Sequence, residues 1–274
     1  MLKNYRGSFP FKLSTTSYIY PDEIVPNVAR LGPFFDEIEL ILFESGQTDS
    51  SPDDHQINRL IDLSLAHRVG FNIHLPIDIS LGDESEKVRA IGVAVVKRVI
   101  QRTLRLNPSV YVLHLDFINP PASPLRKGEE GGVVQEKDID DWKQHLIRSL
   151  KEILDGGIDS KRIAIETLGY PFEWIEDIVN QFGLSICLDI GHILINGYDL
   201  DHYFKAYLPE TSILHLHGVH NGSDHLSIET LSGPDLNLVL SSLRQYHGIV
   251  SIEVFSTNEL KSSLSVLEEK WKRN

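Results

Sequence analysis

The stretch RIAIETLGYPFEWIEDIVNQFGLSICLDIGH, residues 162–192, decides the fold. Two short apolar runs, rich in Ile and Leu, flank a segment whose apolar residues recur every three or four positions. This pattern predicts a strand, a helix and a second strand. Strands that are apolar on both faces need cover on both sides, which is typical of a parallel sheet wrapped in helices.

The same pattern repeats along the whole chain. Helices are predicted at roughly 84–105, 139–154, 172–181, 236–246 and 259–272. Eight strands are predicted, at 12–20, 37–44, 70–77, 110–117, 162–168, 185–191, 213–219 and 249–255. The chain has 274 residues, of which 41% are hydrophobic, and an eight-stranded α/β barrel commonly needs about 250. We therefore expect one barrel domain over residues 1–274, with a doubly wound open sheet as the alternative.

The charge balance bears on possible partners. The chain carries 39 acidic and 26 basic side chains, so its formal net charge is -13. Such a charge repels a polyphosphate backbone unless a local basic patch overrides it. We expect a small-molecule substrate and no nucleic acid partner.

Cysteine usage and hydropathy bear on location. The only cysteine, Cys187, lies inside an apolar strand, so we expect it in the core with no intrachain disulfide and a reducing compartment. The start MLKNYRGSFPFKL lacks the apolar run of a signal peptide, and no stretch approaches ~18 consecutive apolar residues. The expectation is a cytoplasmic protein with no membrane association.

Ionisable side chains occur late in six of the predicted strands. In a parallel barrel all strands point the same way, so residues late in the strands converge on one mouth. Imidazole and carboxylate together suit zinc, manganese or ferrous iron, whereas calcium prefers oxygen ligands alone. We therefore predict a metal site whose ligands are His74, His114, Glu166, Asp189, His192, His215 and Glu253.

Two features strengthen this prediction. Glu166 and Glu253 would be carboxylates in otherwise apolar strands, and an unpaired buried carboxylate is costly, so both need a cation. Neither strand supplies a nearby Arg or Lys, which favours a metal. In the run from Asp189 to His192, we expect the strand to end and Gly191 to allow a sharp turn that brings His192 back to the mouth.

Further histidines follow the seventh strand. His215 and His217 should point to the same face because side chains alternate along a strand, so one may coordinate metal while the other binds substrate. Asp224 and His225 lie in the loop beyond, where they could complete a further metal site or hold an anionic group. The sequence leaves these alternatives open.

Three other segments border the predicted mouth. Tyr18 follows the first strand and is a possible substrate contact, whereas Glu39 in the second strand is expected to pack at the rim. Residues 119–138, NPPASPLRKGEEGGVVQEKD, form a segment too long for an ordinary connection. We expect either a loop that covers substrate or an insertion without a role.

The candidate ligands resemble, in order and in strand position, the metal ligands of the endonuclease IV and xylose isomerase-like TIM barrel superfamily. Within it, six segments are most similar to the cobamide-remodelling phosphodiesterases. They are TTSYIYPDEIVPNV (15–28), DEIELILFES (36–45), NIHLPIDISLG (72–82), YVLHLD (111–116), HLHGV (215–219) and DHLSI (224–228). The resemblance implies hydrolysis of a phosphoester in the nucleotide loop of a corrinoid, with one to three divalent ions, zinc or manganese.

The resemblance also implies roles and alternatives. Glu166, Glu253 and His192 would be catalytic. Sugar isomerases and epimerases of the superfamily bind one metal with the residues that match Glu166, Asp189, His215 and Glu253, and use the two glutamates as acid and base. That reading, with a sugar phosphate as substrate, is the main alternative. In the DNA-repair branch one residue separates the pair that matches Asp224 and His225, which here are adjacent. DNA repair and a non-catalytic binding barrel are less favoured.

Overall fold

The computed structural model describes residues 2–45, 48–49, 51–117 and 135–273, and for 44–45, 48–49 and 273 it describes the backbone alone. Most of the predicted loop at 119–138 lies outside the described residues. Only 135–138 is described, and a helix has already begun there at Glu136. A role for this segment in covering substrate stays a prediction.

Eight parallel strands close into a barrel, as predicted. The strands lie in chain order around the barrel, and the first pairs with the eighth through the register Lys12↔Ile249. This closing pair excludes the open sheet. The barrel strands are Lys12–Thr16, Glu37–Ile41, Gly70–His74, Tyr111–Leu113, Ile163–Glu166, Ser185–Asp189, Thr211–Leu216 and Ile249–Ile252.

Helices cover the outside of the barrel. Those in the described residues are Ile24–Leu31, Asp54–His67, Glu86–Thr103, Glu136–Leu154, Glu176–Phe182, Ile190–Ile195, Leu200–Tyr207, Gly233–Leu243 and Thr257–Arg273. The predicted helix at 172–181 is a 3-10 turn, Phe172–Trp174, followed by the helix Glu176–Phe182. Two short antiparallel pairs lie outside the barrel, Glu44–Ser45 with Thr48–Asp49 and Gly218–His220 with Ser223–Leu226.

The core has two parts. The larger part packs the outer faces of the strands against the helices. A smaller apolar cluster, formed by Val110, Val112, Ala164, Cys187, Ile213 and Ile249, fills part of the barrel interior. Cys187 is fully buried in this cluster and is a free thiol, as predicted. Among the described residues, no helix has the length and apolar character needed to cross a membrane.

Candidate metal centre

The strands deliver the candidate ligands to one end of the barrel. His74, Glu166 and Asp189 are the last residues of the third, fifth and sixth strands. His114 and Glu253 each follow directly after a strand, the fourth and the eighth. Because parallel strands end at the same rim, residues far apart in the sequence meet there.

Glu166 lies at the centre of the cluster and is buried. Its Oε2 atom is 3.1 Å from Nε2 of His74 and 2.9 Å from Nε2 of His114. Its Oε1 atom is 3.2 Å from Nδ1 of His192 and 3.7 Å from Nδ1 of His215. The two oxygens of one carboxylate therefore face two separate sets of imidazoles, an arrangement that suits a ligand shared by two cations.

Glu166, Asp189, His215 and Glu253 form a second group, whose ligand atoms all lie within 4.8 Å of one another. Nδ1 of His215 is 3.0 Å from Oε2 of Glu253 and 3.5 Å from Oδ2 of Asp189. Nδ1 of His215 and Oε2 of Glu253 are both buried, yet neither forms a hydrogen bond with any described residue. Unsatisfied buried polar atoms are costly, so this pair indicates a missing cation.

The nature of the donors fits zinc or manganese. The group supplies carboxylate oxygens and imidazole nitrogen, the donor set that those metals take in proteins. His74, His114 and Glu166 supply a further three-ligand group that shares Glu166. The residues present therefore fit the divalent metal that the sequence suggests.

A third group of His217, His225 and Glu253 lies nearer the surface. The rings of His217 and His225 stack with centroids 4.3 Å apart, and Nε2 of His225 is 3.6 Å from Oε2 of Glu253. Asp224 bonds to Nδ1 of His225 at 2.9 Å. None of the metal-binding groups found among the described residues includes Asp224. Its carboxylate supports His225, and a ligand role for it stays a prediction.

The electrostatics of the cluster follow from burial and pairing. Burial alone would raise the pKa of Glu166, but the charges of His114 and His215 outweigh it and hold the pKa well below its usual range. Burial alone would lower the pKa of His74, but the hydrogen bond and charge of Glu166 raise it to about 9. Without a metal, the carboxylate of Glu166 is therefore ionised and the ring of His74 protonated, so that a proton takes the place of a cation between them.

His192 and Gly191 owe their positions to a short helix. The helix Ile190–Ile195 begins directly after the sixth strand, and Oδ1 of Asp189 accepts the backbone N–H of His192 at 2.6 Å. Gly191 has helical backbone, so the predicted sharp turn is wrong. A glycine is needed because a Cβ atom at this position would lie 1.9 Å from Cε1 of His217.

The sequence analysis misjudged Glu39. It is fully buried rather than packed at the rim, and its Oε1 atom lies 3.0 Å from Nε2 of His215. Its Oε2 atom accepts a hydrogen bond from Oγ of Ser251 at 2.5 Å. The available signal was the one that identified Glu166, a charged residue within an apolar strand.

A cleft of about 800 Å³ opens beside the cluster. Tyr18, Tyr20 and Phe255 are among its lining residues, and the ring of Phe255 lies 5.1 Å from that of His225. Phe255 is 45% exposed. Tyr18 is therefore at the mouth, and its contact with substrate stays a prediction.

Comparison with known proteins gives relatives of two activities. The probable endonuclease 4 of Oceanobacillus iheyensis is 29% identical over 150 residues, which cover 50% of this chain and 45% of that protein. The chain thus spans about half the length of the endonuclease 4 relatives it matches. The solved D-tagatose 3-epimerase-like protein has a TM-score of 0.71 and 20% identity, over 95% of this chain and 99% of that one.

A third similar protein was solved with a metal bound. The IOLI protein, solved with a bound zinc atom, has a TM-score of 0.63 and 18% identity, over 96% of each chain. At these identities the solved structures show a shared fold alone. A family model described as the xylose isomerase-like TIM barrel matches residues 25–270. Because that match covers most of the sequence, the chain belongs to the xylose isomerase-like TIM-barrel family.

Proposed function

We propose that this chain is a metal-dependent phosphodiesterase that hydrolyses a phosphoester in the nucleotide loop of cobamides. The observation that carries the reaction type is the placement of Glu166, whose two oxygens face two separate groups of imidazoles. A one-metal site does not need this arrangement. The corrinoid substrate rests on the resemblance of six segments to the cobamide-remodelling enzymes, at 15–28, 36–45, 72–82, 111–116, 215–219 and 224–228.

The candidate ligands form groups that would each hold one ion. His74, His114 and Glu166 would hold one ion, and Glu166 with Asp189, His215 and Glu253 a second. His192 and His225 stand where a third ion or the phosphate would bind. Divalent ions in such a site lower the pKa of water and neutralise the charge that develops on phosphate oxygens.

Side chains of the protein would accept the proton of the attacking water and stabilise the leaving oxygen. Glu253 would hold the cation through one carboxylate oxygen and accept a proton from the attacking water through the other. His225 lies 3.6 Å from the same oxygen at the open side of the cluster and pairs with Asp224. This pair would stabilise charge on the leaving oxygen. No covalent enzyme intermediate is required.

An isomerase or epimerase is the second candidate. The group Glu166, Asp189, His215 and Glu253 suffices for one ion, and two of its members are glutamates that could exchange a substrate proton. The count of tightly bound ions separates the two candidates, because one ion favours the epimerase and two or more favour the phosphodiesterase.

Nucleic acid is the substrate that the names of the endonuclease 4 relatives suggest. Against it stands the net charge of -13, which repels a phosphate backbone over most of the surface. We keep a small molecule as the proposed substrate. A DNA duplex with an abasic site is the proper comparison in any assay.

The test is incubation of zinc- or manganese-loaded protein with coenzyme B12, followed by mass spectrometry. Hydrolysis adds one water and divides the substrate into cobinamide phosphate and the released nucleoside. Water labelled with ¹⁸O should place its label in one product. Glu253→Gln should form no product while keeping its fold, and chelation should stop the wild type. Cleavage of abasic DNA instead, epimerisation of a ketose, or activity that survives metal stripping would each contradict the proposal.

A further inference from the structure

Glu39 is a buried carboxylate inside the barrel, and its ligand oxygen lies within 4.8 Å of ring nitrogens of His74 and His215. Its side chain is fully buried, and so are those of the two residues it contacts, His215 and Ser251. Oγ of Ser251 donates to one carboxylate oxygen, and Nε2 of His215 lies 3.0 Å from the other. An ionised carboxylate only accepts hydrogen bonds, so the hydrogen of His215 must be on Nε2.

This contact decides which face of the His215 ring can bind a cation. A neutral imidazole has one N–H, and if Glu39 keeps it on Nε2, the other nitrogen presents a lone pair. That nitrogen, Nδ1, is the atom that lies 3.0 Å from Oε2 of Glu253 and makes no hydrogen bond with a described residue. It points into the group formed with Glu166 and Asp189.

His217 carries its hydrogen on the same ring nitrogen as His215, but it turns that nitrogen toward the cluster. Its Nδ1 atom accepts the backbone N–H of His225 at 2.9 Å, a shorter contact than the 3.4 Å to the carbonyl oxygen of Gly218, and this places its own hydrogen on Nε2. That Nε2 lies 3.1 Å from both carboxylate oxygens of Asp189. His217 is therefore placed to donate a hydrogen bond to Asp189, and it offers no free lone pair to a cation.

We infer that Glu39 is a positioning residue which fixes the orientation and the tautomer of His215, so that Nδ1 of His215 binds the cation. His217 then orients Asp189 as a hydrogen-bond donor and is not itself a metal ligand. Carboxylates that hold a metal-binding imidazole in this way commonly account for about 10 to 100-fold in metal affinity. The inference rests on the metal centre of the proposed function and not on its substrate.

The same strand supplies a matched control. Glu37 lies two residues before Glu39 and is also buried, at 2% exposure. Its carboxylate contacts Lys12 at 2.8 Å, Asn72 at 3.2 Å and Ser109 at 2.5 Å. None of these belongs to the metal-binding groups found in the described part of the chain. Truncating Glu37 therefore removes a buried carboxylate without touching the metal centre.

The experiment measures zinc affinity by competition with a chromophoric chelator, with no substrate present. Glu39→Ala should weaken zinc binding by about 10 to 100-fold, while Glu37→Ala changes it by less than about 3-fold. Glu39→Gln should recover part of the loss, because its amide oxygen still accepts from Nε2. His217→Gln should bind zinc nearly as the wild type does, because its amide N–H can still donate to Asp189.

Side-chain ¹⁵N NMR of the zinc-loaded protein gives a second readout, in which His215 should carry its hydrogen on Nε2. Equal zinc affinities for Glu39→Ala and Glu37→Ala, or a hydrogen on Nδ1 of His215, would overturn the inference. If Glu39→Ala does not fold, Glu39→Gln and Ser251→Ala are measured in its place. Unchanged zinc affinity in both variants would likewise overturn the inference. Since no substrate is used, a wild type without phosphodiesterase activity leaves these outcomes intact.

Discussion

At the residue scale, Glu166 is the side chain on which the centre is organised. It contacts His74 and His114 through one oxygen and His192 through the other. Its carboxylate is buried and kept ionised by these neighbours. A neutral replacement would therefore leave several imidazoles without their shared acceptor.

Glu166→Gln tests this organisation. An amide N–H₂ cannot bind a cation, so the variant should hold at least one ion fewer per chain, and activity should fall by about 100-fold or more. Metal analysis of the dialysed protein gives the ion count. Glu268→Gln is the control, because this carboxylate in the C-terminal helix pairs with Lys3 and Lys272, and the variant should keep the ion count and the activity. A full complement of ions in Glu166→Gln would remove this residue from the centre.

The charges of the metal-free centre predict a dependence on pH. Burial alone would lower the pKa of His192, but the charge of Asp189 and the hydrogen bond of Glu166 raise it to about 10, and that of His74 is about 9. Both exceed the ordinary value of 6.5, so protonation stabilises the fold below pH 6.5, and this stabilisation is lost as pH rises through 9 to 10. The pKa of Glu166 is depressed instead, so the stability that its ionised carboxylate contributes to the fold is lost as pH falls below 4.5.

We therefore expect the melting temperature of the chelated protein to fall between pH 7 and pH 10, because the imidazolium groups lose their protons there. Zinc needs neutral imidazoles, so loading the protein at pH 7 should release protons, and the loaded protein should not show the alkaline decline. Thermal melts of both forms and a proton-release titration measure this. A flat melting curve for the chelated protein across this range would argue against the charge assignment.

At the element scale, the turn from the sixth strand into the helix Ile190–Ile195 positions two groups at once. Asp189 ends the strand and caps the helix by accepting the N–H of His192. Gly191 leaves room for the ring of His217. The hydrogen bond from His192 is local, whereas the space at Gly191 is needed for His217, which follows another strand, so sequence spacing indicated the Asp189–His192 pair without the reason for its glycine.

Gly191→Ala should displace the His217 ring, because the added Cβ would lie 1.9 Å from Cε1. Overpacking of this kind typically costs about 1 to 3 kcal/mol of stability. Gly233→Ala is a suitable control, since a Cβ there meets nothing within 4 Å. Denaturant melts of both variants supply the comparison. Equal stabilities would mean that the ring moves aside without cost.

Some helices and strands could be predicted from the sequence, and others could not. The eight barrel strands were predicted because most of them lie in short segments rich in Val, Ile and Leu, a pattern that can be read without tertiary information. The helices Ile24–Leu31 and Asp54–His67 were not singled out, although Asp53 and Gln56 form a capping box at the start of the second. The helix after Asp189 has only six residues, too few for a periodic pattern.

At the scale of the whole molecule, metal binding should stabilise the fold. The ligands come from six strands spread from His74 to Glu253, and a cation that binds only the folded barrel shifts the unfolding equilibrium. Free zinc at 100 times its dissociation constant should contribute about 2.7 kcal/mol. The melting temperature should therefore rise on zinc addition and fall on chelation. A variant with His114→Ala should show a smaller rise, and an unchanged melting temperature in the wild type would contradict a specific site.

The sequence by itself determined the barrel and the set of residues at its mouth. Apolar runs alternating with helical patterns require a parallel sheet covered on both faces, and parallel strands bring their late residues to one rim. Only the tertiary structure decided how those residues are divided. Three features depend on distances between side chains of different strands, which local sequence patterns do not encode: the nitrogen that His215 and His217 each turn toward the centre, the burial of Glu39 beside His215, and the two groups that Glu166 faces.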